Sequence, residues 1–130
     1  MILNLTQHLA SQEQIAAGVI DLPSIERSTL VKLLTVEELP VASELEGRCE
    51  AIAKLAVHNG LGGDIGDDPV FTKVMIGGAP WMMSTLEYAL TNEGFIPVYA
   101  FSQRVSAETT KPDGTVVKTN VFKHAGFIKI

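Results

Sequence analysis

The chain has 130 residues, of which 46% are hydrophobic and 19% charged, and its formal net charge is −5. This length and apolar content predict one folded domain, residues 1–130, and exclude a disordered chain. No apolar stretch reaches the ~18–20 residues of a transmembrane helix, and the first residues lack the basic region of a signal peptide. The single cysteine, Cys49, excludes an internal disulfide. We therefore expect a cytoplasmic protein without a metal, a cofactor or a membrane partner.

Charge is unevenly distributed along the chain. Residues 1–70 carry eleven acidic and four basic side chains, a net charge of −7, whereas residues 71–130 carry four acidic and six basic ones, a net charge of +2. The acidic half argues against duplex DNA as a partner, because a DNA-binding surface is strongly basic. The positive half suits a small anionic ligand, although lysines that protect edge strands explain it equally well.

The first half of the chain alternates short apolar segments with helical ones. Residues 2–6 predict a strand, and residues 11–14 fit a capping box that opens a short helix. Residues 19–22 form either a brief strand or a connector. A second helix follows over 23–34, and a third covers about 42–58, where apolar residues recur at steps of three and four.

The apolar stripe of the second helix includes Ile25 and Leu30. Residues 60–69 form an acidic, glycine-rich loop, which lacks the carboxylate spacing of a calcium loop.

The second half contains two apolar strands, over 70–76 and 95–101, separated by a helix over 80–94. A turn signal at 111–114 predicts an antiparallel ribbon over about 104–123. Together these elements predict an α/β fold, a small Rossmann-like three-layer domain whose sheet is mainly parallel and carries an antiparallel C-terminal ribbon. Because the edge of that ribbon needs cover, we expect a homodimer or a higher symmetric oligomer whose interface involves residues 104–128.

Chemically useful residues follow each predicted parallel strand, and the carboxyl ends of such strands are where α/β proteins bind ligands. The candidate ligand-binding residues are Thr6, Gln7 and His8 after the first strand, Gly77, Gly78 and Ala79 after the second, and Ser102, Gln103 and Arg104 after the third. If these strands are parallel neighbours, the three sets converge. This convergence is the main indication of function in the sequence.

The glycine pair matches neither a Walker loop nor the dinucleotide fingerprint. Gly77 and Gly78 nevertheless precede a helix, so the backbone can approach an anionic ligand there; a tight turn without a ligand is the alternative. Trp81, just beyond, either stacks on a purine or closes the core. Arg104 suits a phosphate because its guanidinium matches the phosphate oxygens. His8 is a candidate phosphate donor or general acid/base, or an ordinary surface histidine.

Four residues of the last ribbon share one face by the two-residue period of a strand: Lys118, Asn120, Phe122 and His124. This combination suits a surface that stacks on a base and contacts phosphate, while an exposed edge face is the alternative. No nucleophile elbow and no metal-ligand spacing occurs in the sequence, so the residues favour binding over catalysis.

The segment Asn4 to His8, followed by the polar helix opening Ser11 to Gln14, resembles the start of small CRISPR-associated Rossmann-like (CARF-like) proteins. Leu9 stands where a proline often follows the histidine in them. The segments 75–80, 99–104 and 120–127 resemble phage and prophage proteins of the same layout. This resemblance maps Thr6 and His8 onto the first-strand motif.

The resemblance implies a protein of the bacterial cell that binds a cyclic or adenine-containing nucleotide signal of anti-phage defence, such as a cyclic oligoadenylate. It would act as a sponge or as a slow, metal-independent ring nuclease in which His8 is the candidate catalytic residue. Two alternatives remain open: a protein-interaction module that inhibits a host defence protein through its acidic surface, and a small-molecule enzyme of unknown reaction.

Overall fold

The structure, a computed structural model, describes residues 1–60 and 72–129. The predicted loop at 60–69 therefore lies outside the described residues, apart from Gly60, as do residues 70 and 71 of the predicted strand. The elements in chain order are β1 (Ile2–Asn4), α1 (Gln12–Ala16), β2 (Val19–Asp21), α2 (Ser24–Leu34), α3 (Ala42–Gly60), β3 (Lys73–Met75), α4 (Pro80–Asn92), β4 (Ile96–Thr110) and β5 (Val116–Lys129).

These strands form one five-stranded sheet in the order β2-β1-β3-β4-β5. β1 pairs in parallel with β2 on one side and β3 on the other, and β3 pairs in parallel with β4. β4 and β5 are antiparallel. The structure thus confirms an α/β fold with a mainly parallel sheet and an antiparallel C-terminal ribbon. After β1 the chain adds β2 on one side of β1 and then adds β3 on its other side. The strand order therefore reverses between β1 and β3.

The main hydrophobic core lies on one face of the sheet. Alternate strand residues such as Leu3, Leu5 and Val74 point to this face, where they pack against α2, α3 and α4. The three- and four-residue spacing of α3 places Cys49 and Ile52 in this core, as the sequence predicts. In α2, by contrast, Leu30 is fully buried but Ile25 is 80% exposed. The predicted stripe is wrong at Ile25, which lies in the first turn of the helix.

The other face has a smaller cluster, formed by Ile2, Val19, Met75 and Val98. Ala10, from the connection between β1 and β2, and Phe127 of β5 pack against it. Residues 19–21 are thus an edge strand, which decides between the strand and the connector that the sequence left open.

β4 corrects one prediction directly. The sequence predicts a strand that ends at Phe101, followed by a separate ribbon strand around Val105. The structure instead has one continuous strand of 15 residues, from Ile96 to Thr110. The strand continues past the body because β5 keeps pairing with it, so polar Ser102 to Arg104 remain within the ladder.

The ribbon has an irregularity at its base and a tight turn at its tip. Phe101 pairs with Gly126 and Ser102 with His124, so β5 has one additional residue, Ala125, at this bulge. At the tip, the N–H of Gly114 donates to the carbonyl of Lys111 at 2.9 Å. This confirms the predicted turn at 111–114. No helix in the described part of the chain is long and apolar enough to cross a membrane.

Candidate functional site

A fully buried asparagine organises the turn after β1. Asn4 donates through its amide nitrogen to the carbonyl oxygen of His8, at 2.8 Å, and to Oδ1 of Asp21, at 2.7 Å. Its Oδ1 accepts hydrogen bonds from the backbone N–H of Thr6, at 2.9 Å, and from the Thr6 hydroxyl, at 2.7 Å. Asp21 also accepts from the backbone N–H of Ala10 at 3.1 Å. These bonds hold residues 6–8 in a fixed turn at the carboxyl end of β1.

The turn after β3 lies directly beside this one. A Cβ atom built on Gly77 would lie 3.7 Å from Cγ2 of Thr6. Gly78 has a φ of +148°, a backbone conformation that glycine adopts easily and other residues rarely do. The turn leads into α4, which has Pro80 in its first turn and Ala79 as its N-cap, with no side-chain capping bond. The N-terminal N–H groups of α4 therefore lack a side-chain partner.

The two turns line a cavity of about 390 Å³, which we call the switch-point cavity. It brings together the predicted residues Thr6, Gln7, His8, Gly77 and Gly78, with Tyr99 and Ala100 of β4 on a further side. It lies at the carboxyl ends of β1 and β3, where the strand order reverses. In open α/β sheets this is the place where ligands bind.

Tyr99 is fixed at the edge of the cavity by a hydrogen bond. Its hydroxyl donates to Oε1 of Glu87 on α4 at 2.6 Å. Burial, together with the nearby Glu87 carboxylate, raises the pKa of Tyr99 well above its usual value. The phenol therefore stays protonated across the physiological range and ties β4 to α4.

The structure does not bring the remaining predicted residues into the switch-point cavity. Ala79 and Trp81 belong to the adjoining helix start, and Trp81 is 54% exposed. Ser102, Gln103 and Arg104 do not follow a strand end, because β4 continues through them. The predicted convergence thus holds for the first two strand ends and is wrong for the third.

The predicted ribbon face exists, but it lies on the part of the ribbon that projects from the body. Lys118, Asn120, Phe122 and His124 pair with β4 residues that share the same side. The Arg104 guanidinium lies 5.7 Å from the centre of the Phe122 ring. Lys118 forms an ion pair with Glu108 at 3.8 Å. These pairs are exposed, so each contributes little to stability.

His124 differs from its three neighbours because it lies at the base of the ribbon. Its backbone N–H donates to Glu13 of α1 at 2.9 Å, and its ring meets Phe127 edge-on at a centroid distance of 4.9 Å. Its Nδ1 is buried and has no hydrogen-bond partner among the described residues. His124 therefore connects the ribbon to α1.

Sequence reasoning missed three residues that shape the cavity: Asn4, Asp21 and Arg27. Nη2 of Arg27 donates to the carbonyl of Gln7 at 3.0 Å and supports the first turn from α2. The one available signal was Asn4 itself, a polar residue inside the apolar run Ile2 to Leu5. The sequence around Asp21 and Arg27 gave no such signal, because their partners Asn4 and Gln7 are 17 and 20 residues away in the chain.

A larger cavity lies elsewhere, as an open groove of about 720 Å³ between α3 and α4. Glu46, Glu50, Tyr88 and Glu93 line it together with Lys54. It is far from the strand ends and mainly acidic, so it is a poor site for an anion.

In the described parts of the chain, no group of three or more His, Cys, Asp or Glu side chains is placed to bind a metal ion. Cys49 is buried against Met82, and burial raises the pKa of its thiol to about 11.

The fold and the cavity define a class: an α/β domain with a polar, glycine-lined cavity at the switch point of its parallel sheet. The chain belongs to the Uncharacterized protein MJ1673 family, whose model matches residues 1–128. Comparisons with curated proteins and with solved structures give no match.

Proposed function

We propose that this chain binds a cyclic or adenine-containing nucleotide in the switch-point cavity and sequesters it, as a sponge for a signal of bacterial anti-phage defence. The meeting of the Thr6–His8 turn with the Gly77–Gly78 turn, beside an uncapped helix, is the observation that carries the proposal. The cavity volume of about 390 Å³ lies in the range of small-molecule sites.

The groups around the cavity suit a phosphate. The α4 N-terminus offers the positive end of the helix dipole and the backbone N–H of Trp81, whereas Pro80 has no N–H and the N–H of Met82 donates to the Ala79 carbonyl at 3.0 Å. Gly77 and Gly78 carry no side chain that would keep an anion away from the backbone. His8 and Gln7 are exposed at the rim, and both carry N–H donors.

The same end of the molecule suits a base. Trp81 is in the first turn of α4, directly after the glycine turn, and more than half of it is exposed. An exposed indole beside an anion site offers a stacking surface for a purine. A nucleotide with its phosphate over the glycine turn and its base against Trp81 satisfies both features.

The cavity favours binding over cleavage. Among the described residues that line it, His8 is the one imidazole, and no carboxylate or cysteine accompanies it. A single general acid/base supports slow ring opening at best, because efficient phosphodiester cleavage needs a second group to activate the nucleophile or protonate the leaving oxygen. We therefore assign sequestration as the main activity.

Incubation with radiolabelled cyclic oligoadenylates and ADP-ribose derivatives, followed by native and denaturing gels, tests the proposal. A shifted, intact label in native gels supports a sponge. A shortened label on denaturing gels supports a ring nuclease, and His8→Ala would then abolish the cleavage. Absence of binding to every nucleotide, at protein concentrations above the micromolar range, overturns the proposal.

A pair of glycine variants locates the ligand. Gly77→Ala adds a methyl group at ordinary contact distance from Thr6, so it fits the fold but takes space from the cavity. We expect it to weaken nucleotide binding about tenfold, a loss of ~1.4 kcal/mol. Gly47→Ala is the matched control, because its added methyl meets no atom within 4 Å beyond its chain neighbours and its own helix backbone, and it is remote in α3. Equal affinity of the two variants in calorimetry would show that the ligand binds elsewhere.

A second candidate function is a protein-interaction module that inhibits a host defence protein through its acidic surface. The groove between α3 and α4 favours it, because Glu46, Glu50 and Glu93 lie around the exposed Tyr88 ring. Glu50→Lys with Glu93→Lys would abolish such an interaction and leave nucleotide binding intact.

A further inference from the structure

The outer part of the β4–β5 ribbon projects from the body, and His124 at its base contacts Glu13 and Phe127 of the body. We call residues 102–110 and 116–124 the arm. All its side chains are exposed except Ala107, Val117 and His124, which are half-buried, and none of them belongs to either hydrophobic cluster. A two-stranded hairpin is marginally stable on its own in water and needs packing against another element. The arm therefore has the length of a structural element but lacks the packing that stabilises one.

The two faces of the arm differ in character. One face, here called the charged face, carries Arg104, Glu108, Lys118 and Phe122. The other, here called the apolar face, has Val105 paired with Val121 at its centre, with Gln103, Ala107, Thr109, Val117, Thr119 and Lys123 around them and Phe101 at the base. Lys123 is the one charged residue on the apolar face. Val105 and Val121 are 38% and 47% exposed, and Phe101 is 47% exposed.

We propose that the apolar face of the arm packs against the same face of a second copy of this chain, with the two-fold axis at the Val105–Val121 pair. The residue sizes suit this arrangement. Rotation about that pair places Phe101 of one copy opposite Thr109 and Val117 of the other. It likewise places the long Gln103 and Lys123 opposite the short Ala107 and Thr119. Larger residues thus face smaller ones on both sides of the central valine pair, as close packing requires.

The distribution of charged residues also favours the apolar face as the contact surface of the dimer. Because Lys123 stands at the rim of the apolar face, its flexible side chain can keep the ammonium group in water while its stem packs. Packing through the charged face would instead bury Arg104, Glu108 and Lys118, and desolvation of such groups is costly. The apolar face is thus the one that two identical copies can bury.

The area is sufficient for a weak, reversible dimer. Nine residue pairs extend about 30 Å and two strands are about 10 Å wide, so two faces cover about 600 Å² of flat surface. Because side chains project from both faces, the accessible surface buried in the contact is larger than this flat area and approaches the ~1,000 Å² of the smallest specific interfaces. We therefore expect a dimer that depends on concentration.

Light scattering and sedimentation over a concentration series test the proposal with three chains. The wild type should approach twice the chain mass of 14.0 kDa, and Val121→Lys should stay at the monomer mass. Ser106→Lys adds the same charge one position from Val105 but on the opposite face, so it should dimerise like the wild type. A monomeric wild type, or an equal effect of the two lysines, overturns the proposal.

A second measurement covers the case in which Val121→Lys merely unfolds the arm. Val105→Cys places a thiol at the proposed axis, and the native Cys49 is buried. Under mild oxidation Val105→Cys should form a disulfide-linked dimer, whereas Ser106→Cys should not. Equal cross-linking of both, or of neither, contradicts the apolar-face dimer. None of these outcomes depends on nucleotide binding.

Discussion

At the scale of single residues, Asn4 has the most consequence for the site. All of its amide hydrogen-bonding capacity goes to the turn that forms one wall of the switch-point cavity and to Asp21 of the neighbouring strand. A buried amide with several partners specifies a conformation, because each partner would be unsatisfied without it.

Asn4→Ala should therefore destabilise the protein severely. It leaves the Thr6 N–H without its partner and removes the bond to Asp21, whose carboxylate keeps only the Ala10 N–H, and an unsatisfied group costs about 1–3 kcal/mol. We expect the free energy of unfolding, measured by urea denaturation, to fall by at least ~2 kcal/mol. Thr6→Val, which removes one hydroxyl of the same network, should cost less than Asn4→Ala. A loss below ~0.5 kcal/mol for Asn4→Ala would mean that the turn does not depend on it.

Tyr99 gives a prediction on alkaline stability. Burial and the nearby Glu87 carboxylate raise its folded-state pKa above the usual value of about 10, so the folded state favours the protonated phenol. The resulting stabilisation is fully present below pH 10 and is lost as the pH rises above it. Tyr99→Phe removes the hydrogen bond to Glu87, in which both residues are half-buried. We expect the free energy of unfolding at neutral pH to fall by about 1 kcal/mol.

The same variant should also flatten the decline of stability above pH 10. Urea titrations at neutral pH and at pH values above 10 would measure both effects. Tyr88→Phe is the control, since Tyr88 is 71% exposed. Identical alkaline profiles of the wild type and Tyr99→Phe would contradict this role of Tyr99.

At the scale of elements, the turn between β3 and α4 has a structural role and lies at the proposed ligand site. Gly78 has its φ in the positive region, whereas Gly77 does not. A Cβ on Gly78 would meet only the flexible end of Met83, at 3.6 Å, so the backbone conformation and not the space limits substitution. We therefore infer different roles for the two glycines: Gly78 permits the turn, and Gly77 leaves room for the ligand of the proposed function.

Gly78→Ala should accordingly reduce stability by about 1–3 kcal/mol, the cost of a strained backbone conformation. Gly77→Ala should leave the melting temperature close to that of the wild type. Thermal unfolding followed by circular dichroism compares the two variants under one condition. A larger loss for Gly77→Ala than for Gly78→Ala would refute this division of roles.

The elements themselves show what the sequence can and cannot predict. Helix α3 and the helix start at Pro80 were predictable because apolar spacing and proline act locally. The uninterrupted course of β4 was not, since polar Ser102 to Arg104 remain in the strand only because β5 pairs with them from about twenty residues away. The site followed the same rule. Thr6 and Gly77 were predictable from strand ends, whereas the bond between Asn4 and Asp21 was not, because 17 residues separate the two in the chain.

At the scale of the whole molecule, the chain divides into a body and an arm. The body contains both hydrophobic clusters and the switch-point cavity. Phe127, which packs on the second cluster, and Tyr99, which lines the cavity, both lie at the base of the ribbon and belong to the body. We therefore expect stability and the proposed ligand binding to depend on the body, and the proposed self-association to depend on the arm.

A shortened arm tests this division. Gln103 and Lys123 are directly paired, so an Asn-Gly turn can join them in place of residues 104–122. The variant keeps the bulge, Phe127 and every residue that lines the cavity. We expect it to unfold cooperatively at nearly the wild-type temperature and to bind nucleotide with unchanged affinity, but to remain monomeric where the wild type dimerises. Calorimetry and light scattering on the same samples measure all three properties. Loss of cooperative unfolding would show that the arm stabilises the body, and loss of nucleotide binding alone would show that Arg104 or Phe122 reaches the ligand.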